Sequence, residues 1–332
     1  MEYFVSPILP SNQSPHASLY ATRPGALPAR FRRTRVLLVG CGDVGLRVAQ
    51  ALPAGLRLLA LTSSADRKEV LRERGITPLL GDLDDGASLR RLAGLCSRII
   101  HLAPPPDQGW RDTRTLALTR ALRLRSLPQA LVYGSTSGVY GDCRGELVNE
   151  TRTPRADTPR ARRRMNAEDA IRFLGRARQV RGTILRIPGI YATDREGGTP
   201  RARLLKGTPL LEARDDVHTN HIQADDLARA CIAALWRGKP QRVYNVNDDS
   251  CLKMGDYFDL AADLYGLPRP PRVPRGLAKD QLPLLLLSFM SESRRMDNTR
   301  LKRELRLRLR YPTVATGLLA PLPKNSAAAG QA

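Results

Sequence analysis

The sequence is poor in lysine. Only 7 of its 54 basic residues are Lys (positions 68, 206, 239, 253, 279, 302 and 324), and 54 minus 7 leaves 47 Arg spread over all 332 residues. Neither tail collects them, so the formal net charge of +22 and the pI near 10.8 do not mark a nucleic-acid arm. Such a skew is what a GC-rich coding sequence gives. Zinc-finger spacing and the aromatic pattern of RNA-binding sheets are also missing, which excludes nucleic acid as the expected partner. Anionic small molecules such as nucleotides fit the charge. Cysteine is scarce: Cys41, Cys96, Cys143, Cys231 and Cys251 are odd in number and form no Cys-x-x-Cys pair. That excludes a disulfide framework and reads as free thiols in a reducing compartment. His101 and His221 have no carboxylate or second His at ligand spacing, so no metal site is expected and each reads as a buried, hydrogen-bonded imidazole. Long apolar runs are missing as well. The longest, Leu282 to Met290, is broken by Pro283 and Ser288 and falls far short of the roughly 20 residues a bilayer demands. The start, Met-Glu-Tyr-Phe, lacks a basic segment followed by an apolar core, so no signal peptide, no membrane partner and a cytoplasmic location are expected.

What is present is organised around residues 35 to 52, Arg-Val-Leu-Leu-Val-Gly-Cys-Gly-Asp-Val-Gly-Leu-Arg-Val-Ala-Gln-Ala-Leu. Val36 to Val39 is an apolar run suited to a buried parallel strand. Val44, Val48, Ala51 and Leu52 then recur at helical spacing until Pro53. Between them stand Gly40, Gly42 and Gly45 in G-x-G-x-x-G spacing. In a strand-turn-helix context this pattern predicts a dinucleotide cradle: the first glycine makes the turn, the second lets a pyrophosphate approach and the third lets helix and strand pack closely. Asp43 and Val44 would supply N–H donors at the helix N-terminus.

Further along, strands are predicted at 56–61, 77–80, 97–102, 130–133, 182–187 and 242–246. Helices are predicted near 66–74, where Ser63 or Ser64 is the expected cap, and near 111–125, 162–174 and 224–235. This alternation is that of an α/β, Rossmann-type, doubly wound parallel sheet with a smaller C-terminal substrate lobe. The expected division is a flexible extension over residues 1–33, a dinucleotide-binding domain over 34–187, and a lobe over 188–318 whose segment 220–248 returns to the first domain. A disordered tail over 319–332 completes it. Asp225 and Asp226, just before an amphipathic helix, are expected to be its cap and its dipole partner.

Several stretches resemble the NAD-dependent epimerase/dehydratase branch of the extended short-chain dehydrogenase/reductases. Leu131-Val-Tyr-Gly-Ser-Thr-Ser-Gly-Val-Tyr-Gly-Asp142 is similar to the family's S-S-x-x-V-Y-G-D segment. Leu185-Arg-Ile-Pro-Gly-Ile-Tyr191 is similar to L-R-x-x-x-x-Y-G, and Asn220 to Ala228 to I-H-V-D-D-L-A, with Tyr244-Asn-Val246 as the strand after it. The segment from Ser293 to Leu305, with Tyr311-Pro312, looks like an atypical bacterial subgroup. The likeness covers roughly residues 34 to 318. It implies that Asp82 and Leu83 contact the adenine, that the backbone of Leu102 and Ala103 lines the ribose, and that Pro188 lies beside the cofactor. It also implies that the hydroxyl of Thr136 orients the substrate, a small molecule such as a nucleotide-sugar, and it admits a homodimer.

One departure bears on function. Counting back from Glu168, the family's Tyr-x-x-x-Lys falls on Arg160 and Arg164. Arg164 can hold the ribose as the lysine does, whereas Arg160, charged at any ordinary pH, is a poor proton shuttle. Tyr140 and Tyr191 are the candidate replacement acids. The expected function is therefore NAD(P)-dependent redox chemistry on a carbonyl or alcohol, with a catalytically impaired cofactor-binding sensor or scaffold as the alternative. For the cofactor, the second strand ends Leu61-Thr62-Ser63-Ser64 without an acid and with Arg67 nearby. Small hydroxyls and a cation suit a 2′-phosphate, which favours NADP over NAD.

Overall fold

The computed structural model describes residues 34–320, apart from the side chains of residues 284 and 285. The expected extension over 1–33 and nearly all of the expected tail lie outside the described residues. The chain begins with β1 (Arg35–Val39), α1 (Asp43–Ala51), β2 (Arg57–Thr62), α2 (Arg67–Glu73) and β3 (Thr77–Leu80). It continues with β4 (Arg98–His101), α3 (Thr113–Leu122), β5 (Ala130–Thr136), the short β6 (Leu147–Val148), α4 (Pro159–Arg178) and β7 (Arg181–Ile187). After β8 (Gly189–Tyr191), α5 (Arg201–Leu205), β9 (Leu210–Leu211) and β10 (His218–Thr219) come β11 (His221–Gln223), α6 (Ala224–Arg237) and β12 (Arg242–Asn245). The last elements are β13 (Leu252–Lys253), α7 (Met254–Tyr265), β14 (Arg272–Val273), α8 (Arg275–Gln281), α9 (Leu284–Phe289), β15 (Arg295–Met296), α10 (Thr299–Leu305) and α11 (Val314–Leu318).

Seven strands form one parallel sheet in the order β12-β7-β5-β4-β1-β2-β3. The order reverses at β1, between β4 and β2, which opens a crevice at the carboxyl end of β1 where the glycine turn begins. Because helices cover both faces, β1 is buried on both, and this is why its sequence runs apolar without alternation. Val36 and Leu38 join the core that contains Val48 of α1 and Leu227 and Cys231 of α6. Leu37 and Val39 join the opposite core with Leu118 of α3 and Ala167 and Ile171 of α4. A polar residue at any of the four would face one of these cores.

A third core belongs to the lobe and gathers Tyr191, Leu204, Leu210, Val217, Phe258 and Leu318. The five cysteines carry free thiols; four are buried and Cys251 is exposed.

Two expected caps are corrected. Neither Ser63 nor Ser64 caps α2, whose N-cap is Asp66 with no side-chain bond. At α6 the cap is Gln223, whose side-chain oxygen accepts from the N–H groups of Asp225 and Asp226. The two aspartates have tertiary partners instead. Asp225 takes Arg47 at 2.6 Å, and the fully buried Asp226 accepts from the N–H groups of Arg310 at 2.9 Å and Tyr311 at 2.8 Å.

Candidate functional site

The crevice at the switch point opens into a cavity of about 600 Å³. Its lining includes Gly40, Gly42, Asp43, Val44, Gly45, Thr62, Ser63, Asp82, Leu83, Leu102 and Ala103, all from the expected cofactor set. Arg164 and Pro188, the other two of that set, do not line it.

The three glycines divide their tasks in a way that can be read from the space around each. Gly40 has φ +87°, and a Cβ there would lie 2.3 Å from the backbone nitrogen of Ala103. Both the turn and the adjoining strand end therefore require glycine. A Cβ on Gly45 would lie 2.8 Å from the carbonyl oxygen of Gly40, so helix and turn could not approach as they do. Around Gly42 a Cβ would meet nothing within 4 Å. That residue borders the cavity, and the open space beside it, ahead of α1, is what a pyrophosphate would fill.

Around this cradle stand four arginines or their partners that the local sequence pattern does not single out as a group. Arg67 donates to the carbonyl of Cys41 at 2.7 Å and lines the cavity together with Thr62 and Ser63. Arg114 binds Asp84 at 2.7 Å, and this pairing holds the Asp84 carboxyl below the usual carboxylate range. From the lobe side, Arg195 reaches Asp43 at 3.2 Å and the carbonyl of Ile190 at 3.1 Å while lining the same cavity. Arg47 gathers Asp43, Asp194 and Asp225, at 3.1, 2.5 and 2.6 Å, tying α1 to the loop after β8 and to α6. Sequence reasoning missed Arg114 and Arg195 because their approach depends on chain segments far from the glycine turn.

The residues expected to act on a substrate are placed as follows. Thr136 ends β5 and its hydroxyl oxygen accepts from the N–H of Gly138 at 3.2 Å, capping the turn that follows. Arg164 donates to the carbonyl of Gly134 at 2.9 Å and to the hydroxyl of Tyr133 at 3.1 Å. Arg160 lies 4.6 Å over the ring of Phe289 in the lobe. Tyr140 is fully buried and donates its hydroxyl to Asn245 Oδ1 at 2.7 Å, with Arg186 stacked 4.6 Å over its ring. Neither Thr136 nor Tyr140 is among the residues that line the cavity. Tyr191 is buried in the lobe core, its hydroxyl 3.4 Å from the carbonyl of Thr313.

His101 and His221 are both buried. His101 Nε2 pairs with Thr115 Oγ1 at 2.9 Å, and that hydroxyl donates to Asp112 at 2.8 Å. Burial, aided by the charge of Arg164, pulls the imidazole down to about 3, so it stays neutral. His221 stacks on Tyr257 with ring centroids 4.0 Å apart and is pulled down to about 4 by burial alone. In both rings Nδ1 has no hydrogen-bond partner among the described residues, and the expected hydrogen bond of a buried imidazole is found at His101 Nε2.

The parallel order about β1, the glycine turn at its end and the lobe set beyond it define a Rossmann-type α/β protein. The sequence model of the NAD dependent epimerase/dehydratase family matches residues 36–247, and the chain belongs to that family. Among curated proteins no sequence matches. Among solved structures, a functionally unknown conserved protein from Silicibacter pomeroyi is 29% identical with a TM-score of 0.71, over 86% of this chain and 96% of that one. The UDP-glucose 4-epimerase of Thermotoga maritima, solved with UDP-glucose, is 19% identical with a TM-score of 0.70, over 86% and 96%. The UDP-glucose 4-epimerase of Thermus thermophilus, in complex with NAD, is 22% identical with a TM-score of 0.67, over 86% and 98%. These two epimerases share the fold. No helix among the described residues is long and apolar enough to cross a membrane.

Proposed function

We propose that the protein binds NAD(P)(H) in the 600 Å³ cleft, with NADP favoured, and acts by hydride transfer on a carbonyl or alcohol substrate. The single observation that carries this reading is Gly42, the one glycine of the three whose missing side chain leaves room for a ligand instead of for the protein. When bound, the dinucleotide supplies or accepts the hydride; the chain's own residues bind and orient. Asp43 and Val44 present N–H groups to the pyrophosphate, Asp82 and Leu83 flank the adenine, and Leu102 and Ala103 line the ribose. Thr62, Ser63 and Arg67 meet the adenosine 2′ position, where hydroxyls and a guanidinium favour a phosphate. Arg164 stands where the family has lysine, and Pro188 follows directly on β7. Thr136 keeps its hydroxyl hydrogen free to donate to a substrate oxygen while its lone pair serves Gly138.

The division into a cofactor domain over 34–187 and a substrate lobe over 188–318, with 220–248 returning to the sheet, is part of the same reading. Nucleotide-sugars are the first substrates to try, being what the epimerases of this fold are named for. A second reading is favoured by one contact. Arg160, at the family's tyrosine, is stacked on Phe289 and cannot pass a proton at ordinary pH, which suits a cofactor-binding sensor or scaffold that has lost catalysis.

Titrating the purified protein with NADPH and NADH, then following nicotinamide absorbance against nucleotide-sugars and small carbonyls, tests both readings. NADPH is expected to bind more tightly than NADH, and at least one carbonyl to be reduced. Binding without turnover across the panel favours the sensor. Failure of both nucleotides to bind overturns the cofactor assignment itself.

A further inference from the structure

The lobe contains a second cavity, of about 250 Å³, whose chemistry differs from that of the cofactor cleft. Most of its wall is apolar or aromatic, including Ile190, Met254, Tyr257, Phe258, Leu286 and Phe289. Into this wall α5 sets Arg203. Its guanidinium lies 4.3 Å over the ring of Phe258, and its Nε and Nη2 are buried without a hydrogen-bond partner. No carboxylate pairs with it among the described residues.

Buried guanidinium nitrogens with no acceptor are expensive unless something completes them. Two further lining residues repeat the pattern: Thr219 Oγ1 and His221 Nδ1 are both buried and unpartnered, and His221 is 9% exposed. Other buried arginines also leave one nitrogen unpaired, Arg98, Arg163, Arg181, Arg186 and Arg294 among them, but each of these has an acceptor elsewhere on its guanidinium, whereas Arg203 has none among the described residues. Arg186 meets Glu168 through two hydrogen bonds, and Arg163 donates to the carbonyl of Gly109 at 2.6 Å. The unfilled donors at Arg203 thus belong to a place built for an incoming acceptor.

We propose that this cavity binds a small organic carboxylate with an apolar or aromatic body, its carboxylate on Arg203 and its body among Tyr257, Phe258 and Phe289. Two oxygens in one plane match the guanidinium fork. One lining cation balances one negative charge, whereas a diphosphate carries more than Arg203 alone can neutralise. The volume lies just below the ~300 Å³ lower end for drug-sized ligands, which limits the body to about one ring. The loop that carries Arg195 into the cofactor cleft also supplies Gly197, Gly198, Thr199 and Pro200 to this cavity, so one loop borders both. The inference rests on the lobe being the substrate side of the proposed enzyme or sensor, and it names the substrate class as a carboxylate, not a nucleotide-sugar.

Calorimetric titration of the full chain with benzoate, benzamide, inorganic phosphate and UDP tests this, alongside a separate NADPH titration. Benzoate is expected to bind, and benzamide, which has the same ring but no charge, to bind at least about tenfold more weakly, or ~1.4 kcal/mol. Arg203→Met should abolish benzoate binding and Arg203→Lys should restore part of it, with NADPH affinity unchanged in both. Benzamide binding as tightly as benzoate, benzoate binding undiminished in Arg203→Met, or no benzoate binding by the wild-type protein would each overturn the proposal. So would UDP or phosphate binding that is lost with Arg203, since either would reassign the cavity to a phosphate. The benzoate and benzamide comparison needs no variant and stands if Arg203→Met fails to fold. Loss of NADPH binding in the wild-type protein would count against the cofactor reading alone.

Discussion

Arg186 of β7 and Glu168 of α4 form a two-pronged pair inside the protein, Nε to Oε1 at 3.1 Å and Nη2 to Oε2 at 2.9 Å, with both side chains almost wholly enclosed. Ser135 of β5 donates to the same carboxylate at 2.7 Å, and Arg172 binds it from the next helical turn at 2.7 Å. Although burial opposes its charge, the arginines hold the Glu168 carboxyl below its ordinary value. The pair fixes α4 against the sheet and so decides where Arg160 and Arg164 stand.

Glu168→Ala should therefore be strongly destabilising, by about 3–5 kcal/mol, because it strands Arg186 in the interior. Chemical denaturation measures this. The folded pKa lies below the unfolded one, so the contribution of Glu168 is complete above the unfolded value of about 4.3 and is lost as pH falls through the folded value. The gap between wild type and variant should narrow in acid, and a gap that stays constant would exclude the pair as its source.

Gly40 and Gly42 should fail in different ways. Gly40→Ala combines a positive φ with a 2.3 Å approach to Ala103 and should cost about 2–4 kcal/mol of stability. A Cβ at position 42 meets no protein atom within 4 Å, so in Gly42→Val thermal stability should change by no more than about 1 kcal/mol. Cofactor affinity should nevertheless fall by about a hundredfold or more, ~2.7 kcal/mol. Retained affinity in Gly42→Val would remove the cradle assignment.

Arg67→Glu places a carboxylate where a guanidinium now reaches the Cys41 carbonyl at 2.7 Å. NADPH should bind at least about tenfold more weakly, ~1.4 kcal/mol, and NADH about as before. Paired fluorescence titrations give the ratio. An equal loss for both nucleotides would take Arg67 away from the 2′ position.

Asp248 and His221 contribute to stability with opposite dependence on pH. Burial pushes the Asp248 carboxyl up to about 7, above the unfolded value of about 3.9. Its contribution is full below pH ~4 and is lost as pH rises to about 7. His221, at about 4 folded against ~6.5 unfolded, contributes fully above pH ~6.5 and less as pH falls toward 4. Asp248→Asn keeps the oxygen that accepts from the N–H of Ser250 at 2.9 Å. Relative to wild type it should gain stability progressively from about pH 4 to 7, with a slope approaching ~1.4 kcal/mol per pH unit. A difference that does not change with pH would show that the carboxyl titrates alike in both states.

The sequence by itself determined the parallel sheet, the alternation of strands and helices along the chain, and the glycine turn after β1. Those signals are local: an apolar run buried on both faces, glycines at fixed spacing, and helical periodicity ended by Pro53. The caps of α2 and α6 were misread because Ser, Asp and Gln can all serve as acceptors, and tertiary partners decided among them: Arg47 took Asp225, while the backbone of Arg310 and Tyr311 took Asp226. Tyr140 read as a possible acid from its place after Thr136, yet only the folded chain, by bringing Asn245 to 2.7 Å, showed where its proton goes. The same holds for Arg203. One arginine among 47 has no distinguishing neighbour in sequence. It becomes a candidate anchor when packing encloses it beside Phe258 without a carboxylate, because burial and pairing are properties of the assembled fold.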